Sequence, residues 1–149
     1  MEQELILFET AKLYKSKGFG LYWDNTKQYN FEKLQANGCD FDDWYDKNGE
    51  LCYIKYPGDE GVSDYIDEDN VDTSYVAPPQ SVLQRWLREI HGLHVEVYSH
   101  MNFGDECYEK EFEVFIHKEI FHDDVNIDGY FNTYEEALEA GLLNALKLI

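Results

Sequence analysis

The last seventeen residues of the chain carry apolar side chains at intervals of three and four, the spacing of one face of a helix. This stripe consists of Tyr134, Leu138, Gly141, Leu142, Ala145, Leu146 and Ile149. Thr133 stands before it and Glu136 follows three residues later, which is a capping-box arrangement. The pattern predicts a helix over residues 133–149. Glycine is about 1 kcal/mol less favourable than alanine inside a helix, so Gly141 predicts a close approach of the helix backbone to a sheet.

A second helix is predicted over residues 81–91, where apolar side chains again recur at helical spacing. Its start has two interpretations. Ser81 and Gln84 have the spacing of a capping box, and Pro78 and Pro79 are equally suited to the first helical turn.

Two strands are predicted between these helices. Residues 93–101 and 110–118 alternate apolar and polar side chains, as strands with one buried and one hydrated face do. The residues of the largely hydrated face are His94, Glu96, Tyr98, His100, Glu111, Glu113, Phe115 and His117. The last third of the chain is therefore predicted to be an α-β-β-α unit.

The N-terminal half has a weaker pattern. It begins with an amphipathic helix of about three turns that ends near Gly18. The apolar face of that helix is formed by Leu7, Phe8, Ala11 and Tyr14. The sequence that follows favours a strand at residues 21–23 and a helical turn at residues 30–34.

A β-hairpin is predicted around the Asn-Gly pair at residues 48–49, because both residue types tolerate the positive φ of a type I′ turn. The flanking strands are residues 41–46 and 50–56. In the register of a two-residue turn, Tyr45 faces Cys52.

Residues 57–77 contain seven carboxylates and no basic residue, and they are predicted to form an exposed acidic loop. The fold class predicted from these elements is α+β, with one domain over residues 1–149. In it, an antiparallel sheet with at least two hairpins packs against two or three helices.

Composition narrows the functional classes. The 149 residues have a formal net charge of -19, which repels nucleic-acid backbones and anionic membranes, so direct binding to either is not expected. The 3 cysteines form no CxxC pair and suit free thiols in a reducing compartment. No secretory or membrane-spanning segment is predicted. These features favour a cytoplasmic protein.

Four segments of the chain resemble a family of small uncharacterised proteins from phages and integrated mobile elements of Bacteroides-type bacteria. The matching segments are FETAKL at 8–13 with KGF at 17–19, NGELC at 48–52, APPQS at 77–81 with LQRWLRE at 83–89, and TYEEALEAGL at 133–142. The resemblance implies a phage or mobile-element origin. It implies no catalytic residues, because no activity is established for that family.

Residues 124–135 match the pattern of an EF-hand calcium loop. Its oxygen ligands would come from Asp124, Asn126, Asp128 and Glu135, with Gly129 at the turn. A strand followed by a turn at Asp128-Gly129 and a capped helix accounts for the same residues, and this second interpretation is favoured. Calcium binding remains the alternative.

Other metal and catalytic chemistry has little support in the sequence. His94, His100 and His117 could share a sheet face with glutamates and hold a transition metal, but no HxH or HxxxH pair fixes a ligand spacing, and a hydrated surface is favoured. The chain has no GxSxG, P-loop or dinucleotide-binding motif. Cys107 is interpreted as an idle thiol and not as a nucleophile. No enzyme activity and no cofactor are predicted.

The function favoured by the sequence is protein interaction, with a basic partner of the kind that normally binds nucleic acid; mimicry of DNA is the extreme form of this hypothesis. From Cys39 to Tyr75, twelve carboxylates stand against Lys47 and Lys55, with aromatic residues among them. Acidic surfaces steer basic partners, and aromatics anchor interfaces. The candidate partner-binding residues are Asp64, Asp67, Glu68, Asp69, Asp72, Trp44, Tyr65, Arg85 and Arg88. For Arg85 and Arg88, internal ion pairing, with Glu89 or the acidic loop, is the favoured alternative to partner binding.

Overall fold

The structure is a computed structural model that describes residues 4–17, 43–54, 65–66, 73–103, 108–118 and 124–149. Within these residues the chain forms three helices and seven strands, which confirms the α+β class. The chain divides into two compact units. The N-terminal unit is Leu5–Pro79, and the C-terminal unit is Gln80–Ile149 together with Met1–Glu4. Assignment of residues 1–149 to one domain stays a prediction, and the strand and turn predicted at 21–23 and 30–34 lie outside the described residues.

The N-terminal unit begins with helix α1 (Phe8–Ser16), as predicted. This helix buries Thr10, Ala11 and Tyr14. Its first residue, Phe8, directs its ring against two tyrosines edge to face, with centroids 5.6 Å from Tyr45 and 5.4 Å from Tyr75. The helix is thereby joined to the sheet of the same unit through aromatic contacts, which are favourable in this geometry.

The predicted hairpin is present, but its register differs by one residue from the prediction. Strands β1 (Asp43–Tyr45) and β2 (Leu51–Ile54) pair with Tyr45 opposite Leu51 and Trp44 opposite Cys52. A shift of one residue exchanges the two faces of a strand. The observed register places Trp44 and Cys52 inside the protein, where they are 3% and 6% exposed.

The cause of the shift is a three-residue turn in place of the predicted two-residue turn. The Asp46 amide donates to the carbonyl of Glu50 at 2.9 Å and closes the loop. The Asp46 carboxylate accepts the backbone N–H groups of Asn48 at 2.7 Å and Glu50 at 2.9 Å. Gly49 then takes the left-handed conformation with φ 86°, which is the usual end of a three-residue hairpin loop.

Two short strands complete this sheet. Strand β3 (Tyr65–Ile66) runs parallel to β2, and β4 (Tyr75–Val76) runs antiparallel to β1, so the strand order is β3-β2-β1-β4. The predicted acidic loop of residues 57–77 lies mostly outside the described residues. Its described positions include both short strands, and Val76 and Ala77 near its end are buried.

The C-terminal unit contains α2 (Gln80–His91), β5 (Leu93–Phe103), β6 (Tyr108–Lys118), β7 (Val125–Phe131) and α3 (Tyr134–Lys147). The three strands form an antiparallel sheet in the order β5-β6-β7. The predicted α-β-β-α elements are confirmed, and β7 adds a third strand before the last helix.

The helix starts were predicted with different success. Thr133 caps α3 as predicted, because its hydroxyl accepts the backbone N–H of Glu136 at 3.1 Å. Both starts predicted for α2 are wrong, because α2 begins at Gln80: Ser81 lies inside the helix, and Pro78 and Pro79 precede its first turn. The Gln84 side chain instead donates to the carbonyl of Val95 at 2.7 Å and ties α2 to the sheet.

Helix α3 packs on the sheet through Gly141, as its place in the apolar stripe predicted. A Cβ atom at Gly141 would lie 2.5 Å from Val114 Cγ2 and 2.6 Å from Val95 Cγ1. Both valines are buried, as are Leu138 and Leu142 of the helix. The backbone of α3 therefore rests directly on β5 and β6, and the helices cover one face of the sheet. No described helix is long and apolar enough to span a membrane.

Candidate functional site

The face of the C-terminal sheet opposite the helices gathers the polar positions of β5 and β6. Strand pairing sets His94 opposite His117, Glu96 opposite Phe115, Tyr98 opposite Glu113 and His100 opposite Glu111. These four pairs alternate with the pairs that face the core. We call this surface, together with Asp124, Asn126 and Tyr130 of the β7 segment, the outer face. The prediction that the histidines and glutamates share one hydrated sheet face is confirmed.

Charge is segregated between the two faces of this sheet. The outer face carries the carboxylates of Glu96, Glu111, Glu113 and Asp124. None of its described positions is lysine or arginine. The two lysines of β6, Lys110 and Lys118, stand opposite Met101 and Leu93 and therefore occupy the alternate positions, on the helix side. The outer face is thus acidic, with imidazoles as its only potentially cationic groups.

Four residues at the centre of the outer face form what we call the aromatic–carboxylate block: Glu96, Tyr98, Glu113 and Phe115. The two rings lie on one diagonal of the block and the two carboxylates on the other. The rings meet edge to face with centroids 5.4 Å apart and an interplanar angle of 84°. Tyr98 is 44% exposed.

The hydroxyl of Tyr98 is bound within this block. It donates to Glu96 Oε2 at 2.6 Å. This hydrogen bond raises the pKa of Tyr98, and desolvation and the charges of Glu96 and Asp124 act in the same direction. The tyrosine therefore remains a neutral donor well beyond physiological pH, and its hydroxyl is bound to the carboxylate.

His117 joins all three strands of the sheet. Its Nδ1 lies 2.7 Å from Asp124 Oδ1, before β7, and its Nε2 lies 3.5 Å from Glu96 Oε2 of β5. The Nε2 atom is buried and makes no hydrogen bond. The contact with Glu96 is at the limit of hydrogen-bond length, so we interpret it as electrostatic, acting when the ring is protonated. An Asp–His pair is also found in catalytic sites, but a buried Nε2 beside a carboxylate is not placed to serve a substrate.

The far end of the outer face has a second imidazole contact. His100 Nε2 lies 2.5 Å from Glu113 Oε2, a contact that is an ion pair when the imidazole is protonated. The ring of Tyr130 stands edge-on to His100 at 6.2 Å and is 62% exposed. Exposed tyrosines therefore lie both at the centre of this acidic surface and at its far end.

The segment that matches the calcium-loop pattern has a different backbone from an EF-hand. Val125 and Ile127 pair with Ile116 and Val114 as part of strand β7, and Asn126 pairs with Phe115. An EF-hand loop instead curls around the ion so that alternate oxygen ligands converge. Gly129, at φ 116°, belongs to an irregularity in the β6–β7 ladder. Residues 125–131 therefore form a strand and not an EF-hand loop, and calcium binding by Asp124, Asn126, Asp128 and Glu135 stays an alternative hypothesis. The favoured interpretation is confirmed for the strand and the capped helix and is wrong for the turn at Asp128-Gly129, because β7 runs on to Phe131. Across the described ranges, no group of three or more His, Cys, Asp or Glu side chains could hold a metal ion.

The residues proposed from the sequence as partner-binding have varied positions. Trp44 is a core residue and not an exposed anchor, as the hairpin register requires. Arg85 Nε pairs with Glu89 Oε1 at 2.8 Å, the favoured internal pairing, and Arg88 is exposed on the same helix. Tyr65 lies in β3, and the loop residues Asp64, Asp67, Glu68, Asp69 and Asp72 lie outside the described residues, as does Cys107.

The sequence interpretation missed the pairing of His117 with Asp124 and the contribution of Tyr130. Val125 and Ile127 alternate with polar residues. A third strand predicted from that alternation would have placed Asp124 and Tyr130 on the outer face. Comparison with known proteins adds no relative: no family model, no curated protein and no solved structure matches this chain.

Proposed function

We propose that this protein is a small acidic interaction protein that binds a basic partner protein through the outer face. The observation that supports this most directly is the segregation of charge across the C-terminal sheet. Four carboxylates and exposed tyrosines share the outer face, whereas the lysines of β6 occupy the other side. A cationic surface is the complement of such a face.

The physical role of each component follows from the chemistry of interfaces. Carboxylates steer a basic partner from a distance and set the orientation of the encounter. Tyrosines supply rigid contact area and are enriched among the residues that dominate binding energy. Tyr98 and Tyr130 are the exposed aromatic anchors of this face. The net charge of -19 adds a long-range field of the same sign.

The biological setting that we propose is the cytoplasm of a bacterium that carries a phage or mobile element. The resemblance to proteins of Bacteroides-type phages and integrated elements supports this origin. A host or phage protein that ordinarily binds nucleic acid has a basic surface of the required kind. The acidic segment that contains Asp64, Asp67, Glu68, Asp69 and Asp72 is the second candidate surface for the same partner.

In the experiment, the parent protein and its variants are each immobilised and exposed to bacterial lysate. The basic proteins that each one retains are identified by mass spectrometry and compared. Glu96→Gln with Glu111→Gln removes two charges from the outer face. Glu135→Gln with Glu136→Gln removes two exposed charges from α3 and is the matched control. We expect basic proteins to be lost from the first variant and kept by the second.

A third variant separates the two acidic surfaces. It replaces the five carboxylates of the acidic segment, named above, with Asn or Gln. For each partner that the parent protein retains, association should slow sharply with added salt, because charges are screened over about 8 Å at physiological ionic strength. If the outer-face variant retains every basic partner at the parent yield, the outer face is not the docking surface.

A further inference from the structure

The geometry points to the aromatic–carboxylate block as a seat for an arginine side chain of the partner. This inference rests on the proposed function and specifies the chemical group that the outer face recognises. Its basis is the arrangement of Glu96, Tyr98, Glu113 and Phe115 as two adjacent cross-strand pairs with rings and carboxylates on opposite diagonals.

The exposed side of the block offers a ring and a carboxylate to one cationic group. The rings of Tyr98 and Phe115 meet across the centre of the block, with centroids 5.4 Å apart, so the cation does not lie between them. It lies over the ring of Tyr98, which is 44% exposed, where a cation within about 6 Å of the ring centroid is attracted to the ring. The carboxylate of Glu96 is beside this ring, because it accepts the Tyr98 hydroxyl at 2.6 Å.

The block retains free interaction capacity despite its internal contacts. Glu96 accepts from the Tyr98 hydroxyl, and Glu113 pairs with His100. Each ionised carboxylate has about four acceptor positions. The Glu96 side chain is 50% exposed and that of Glu113 only 19%, so Glu96 is the more accessible carboxylate of the block. In the edge-to-face pair of Tyr98 and Phe115, only one of the four ring faces is in contact with the other ring. The Phe115 ring also stacks on the His117 ring, at a longer centroid distance of 6.3 Å.

Arginine suits this block better than lysine. A guanidinium is planar, stacks on aromatic rings and directs five N–H donors outward in its plane, so it can bind a carboxylate while it covers a ring. A lysine ammonium is compact and strongly hydrated, and it gains less from the rings. Carboxylates alone would attract both residue types equally, so the rings are what make the block selective.

The test measures arginine preference by calorimetry with two synthetic peptides. Each has ten residues with three cationic positions separated by Gly and Ser, and the cations are all arginine in one peptide and all lysine in the other. We expect the parent protein to bind the arginine peptide about three- to fivefold more tightly, the increment of an exposed cation–π contact. Tyr98→Leu should abolish this preference and leave lysine-peptide binding unchanged.

Two further variants show whether the ring of the block is responsible. Tyr98→Phe keeps the ring and removes the hydroxyl, so it should keep the preference. Tyr130→Leu removes an exposed ring outside the block and should also keep it. The arginine seat would be overturned if the parent protein bound the two peptides with equal affinity. It would also be overturned if Tyr98→Leu bound the arginine peptide more tightly than the lysine peptide by the same factor as the parent. In that case salt-dependent binding of both peptides that weakens in Glu96→Gln with Glu111→Gln still supports the proposed function. Absence of binding to either peptide at low salt contradicts both.

Discussion

Substitution of Gly141 by alanine sets two known effects against each other in one helix. Alanine favours the helix by about 1 kcal/mol over glycine. Against this, the new methyl group would lie 2.5 Å from Val114 Cγ2 and 2.6 Å from Val95 Cγ1. Both distances are far below van der Waals contact, so the helix or the valines must move.

The surroundings decide which effect is larger. Val114 and Val95 are 0% and 2% exposed, and β-branched side chains have restricted χ1 rotamers, so neither methyl has free space to turn into. Overpacking of a tight core costs about 1–3 kcal/mol. With two clashing methyls we take the upper part of this range, which leaves a net loss of about 1–2 kcal/mol for Gly141→Ala. Gly141→Leu brings a larger side chain to the same contact and should be tolerated worse.

The assay is urea unfolding followed by far-UV circular dichroism, with the midpoint compared at unchanged slope. Ala140→Gly is the control for helix propensity and should lose about 1 kcal/mol. Gly141→Ala combined with Val114→Ala should be more stable than the sum of the single losses predicts, because the second change makes room for the methyl. A Gly141→Ala protein more stable than the parent would refute the close contact between α3 and the sheet.

Three further predictions concern the hairpin and the outer face. Gly49→Ala should lose about 1–2 kcal/mol in thermal unfolding, because φ is 86° and the new Cβ would lie 2.8 Å from Phe8 Cδ1; an unchanged melting temperature would contradict the turn. Hydrogen bonds from the backbone of Glu50 and Asn48 lower the pKa of Asp46. The ionised carboxylate therefore stabilises the folded protein above about pH 4, and this contribution to the unfolding free energy is lost as the pH falls through the lowered pKa. Asp46→Asn should flatten that acid dependence of the unfolding free energy. Glu96→Gln should lower the pKa of Tyr98, measured by NMR of labelled tyrosine, since Glu96 is the main cause of its elevation.

The long elements of the C-terminal unit could be predicted because many residues report the same periodicity. Six of the seven stripe positions lie in α3, which ends at Lys147 before Ile149, and a capping threonine precedes them. One error among them would not have changed the prediction. Gly141 was informative because a glycine inside a buried helical stripe lowers helix propensity, a cost that close packing against a sheet offsets. The alternation in β5 and β6 likewise assigned each side chain to a face before the register was known.

The hairpin register could not be predicted because one side chain determines it. Asn48-Gly49 is compatible with both a two-residue and a three-residue turn. The carboxylate of Asp46 selects the longer turn by accepting two backbone N–H groups across it. That choice moved Trp44 from a candidate anchor to the core. The calcium-loop pattern failed for a related reason, since alternating oxygen-bearing residues fit a strand face as well as an ion-binding loop.

The register of β5 and β6 bears directly on why the outer face is acidic. Like charges directly opposite each other destabilise a sheet, and the pairing places no carboxylate opposite another: Glu96, Glu111 and Glu113 face Phe115, His100 and Tyr98. A face whose only task is to remain hydrated gains stability when its carboxylates face lysines across the strands. Here the lysines of β6 occupy the alternate positions, so negative charge is spread over the sheet at little internal repulsion. The carboxylates Glu113 and Glu96 have imidazoles, of His100 and His117, and not lysines as their cross-strand partners. Aromatic and imidazole rings fill the intervening places. The carboxylates therefore still attract an external cation, and aromatic rings that would hold the cation lie beside them. A docking surface for an arginine-bearing partner requires both properties.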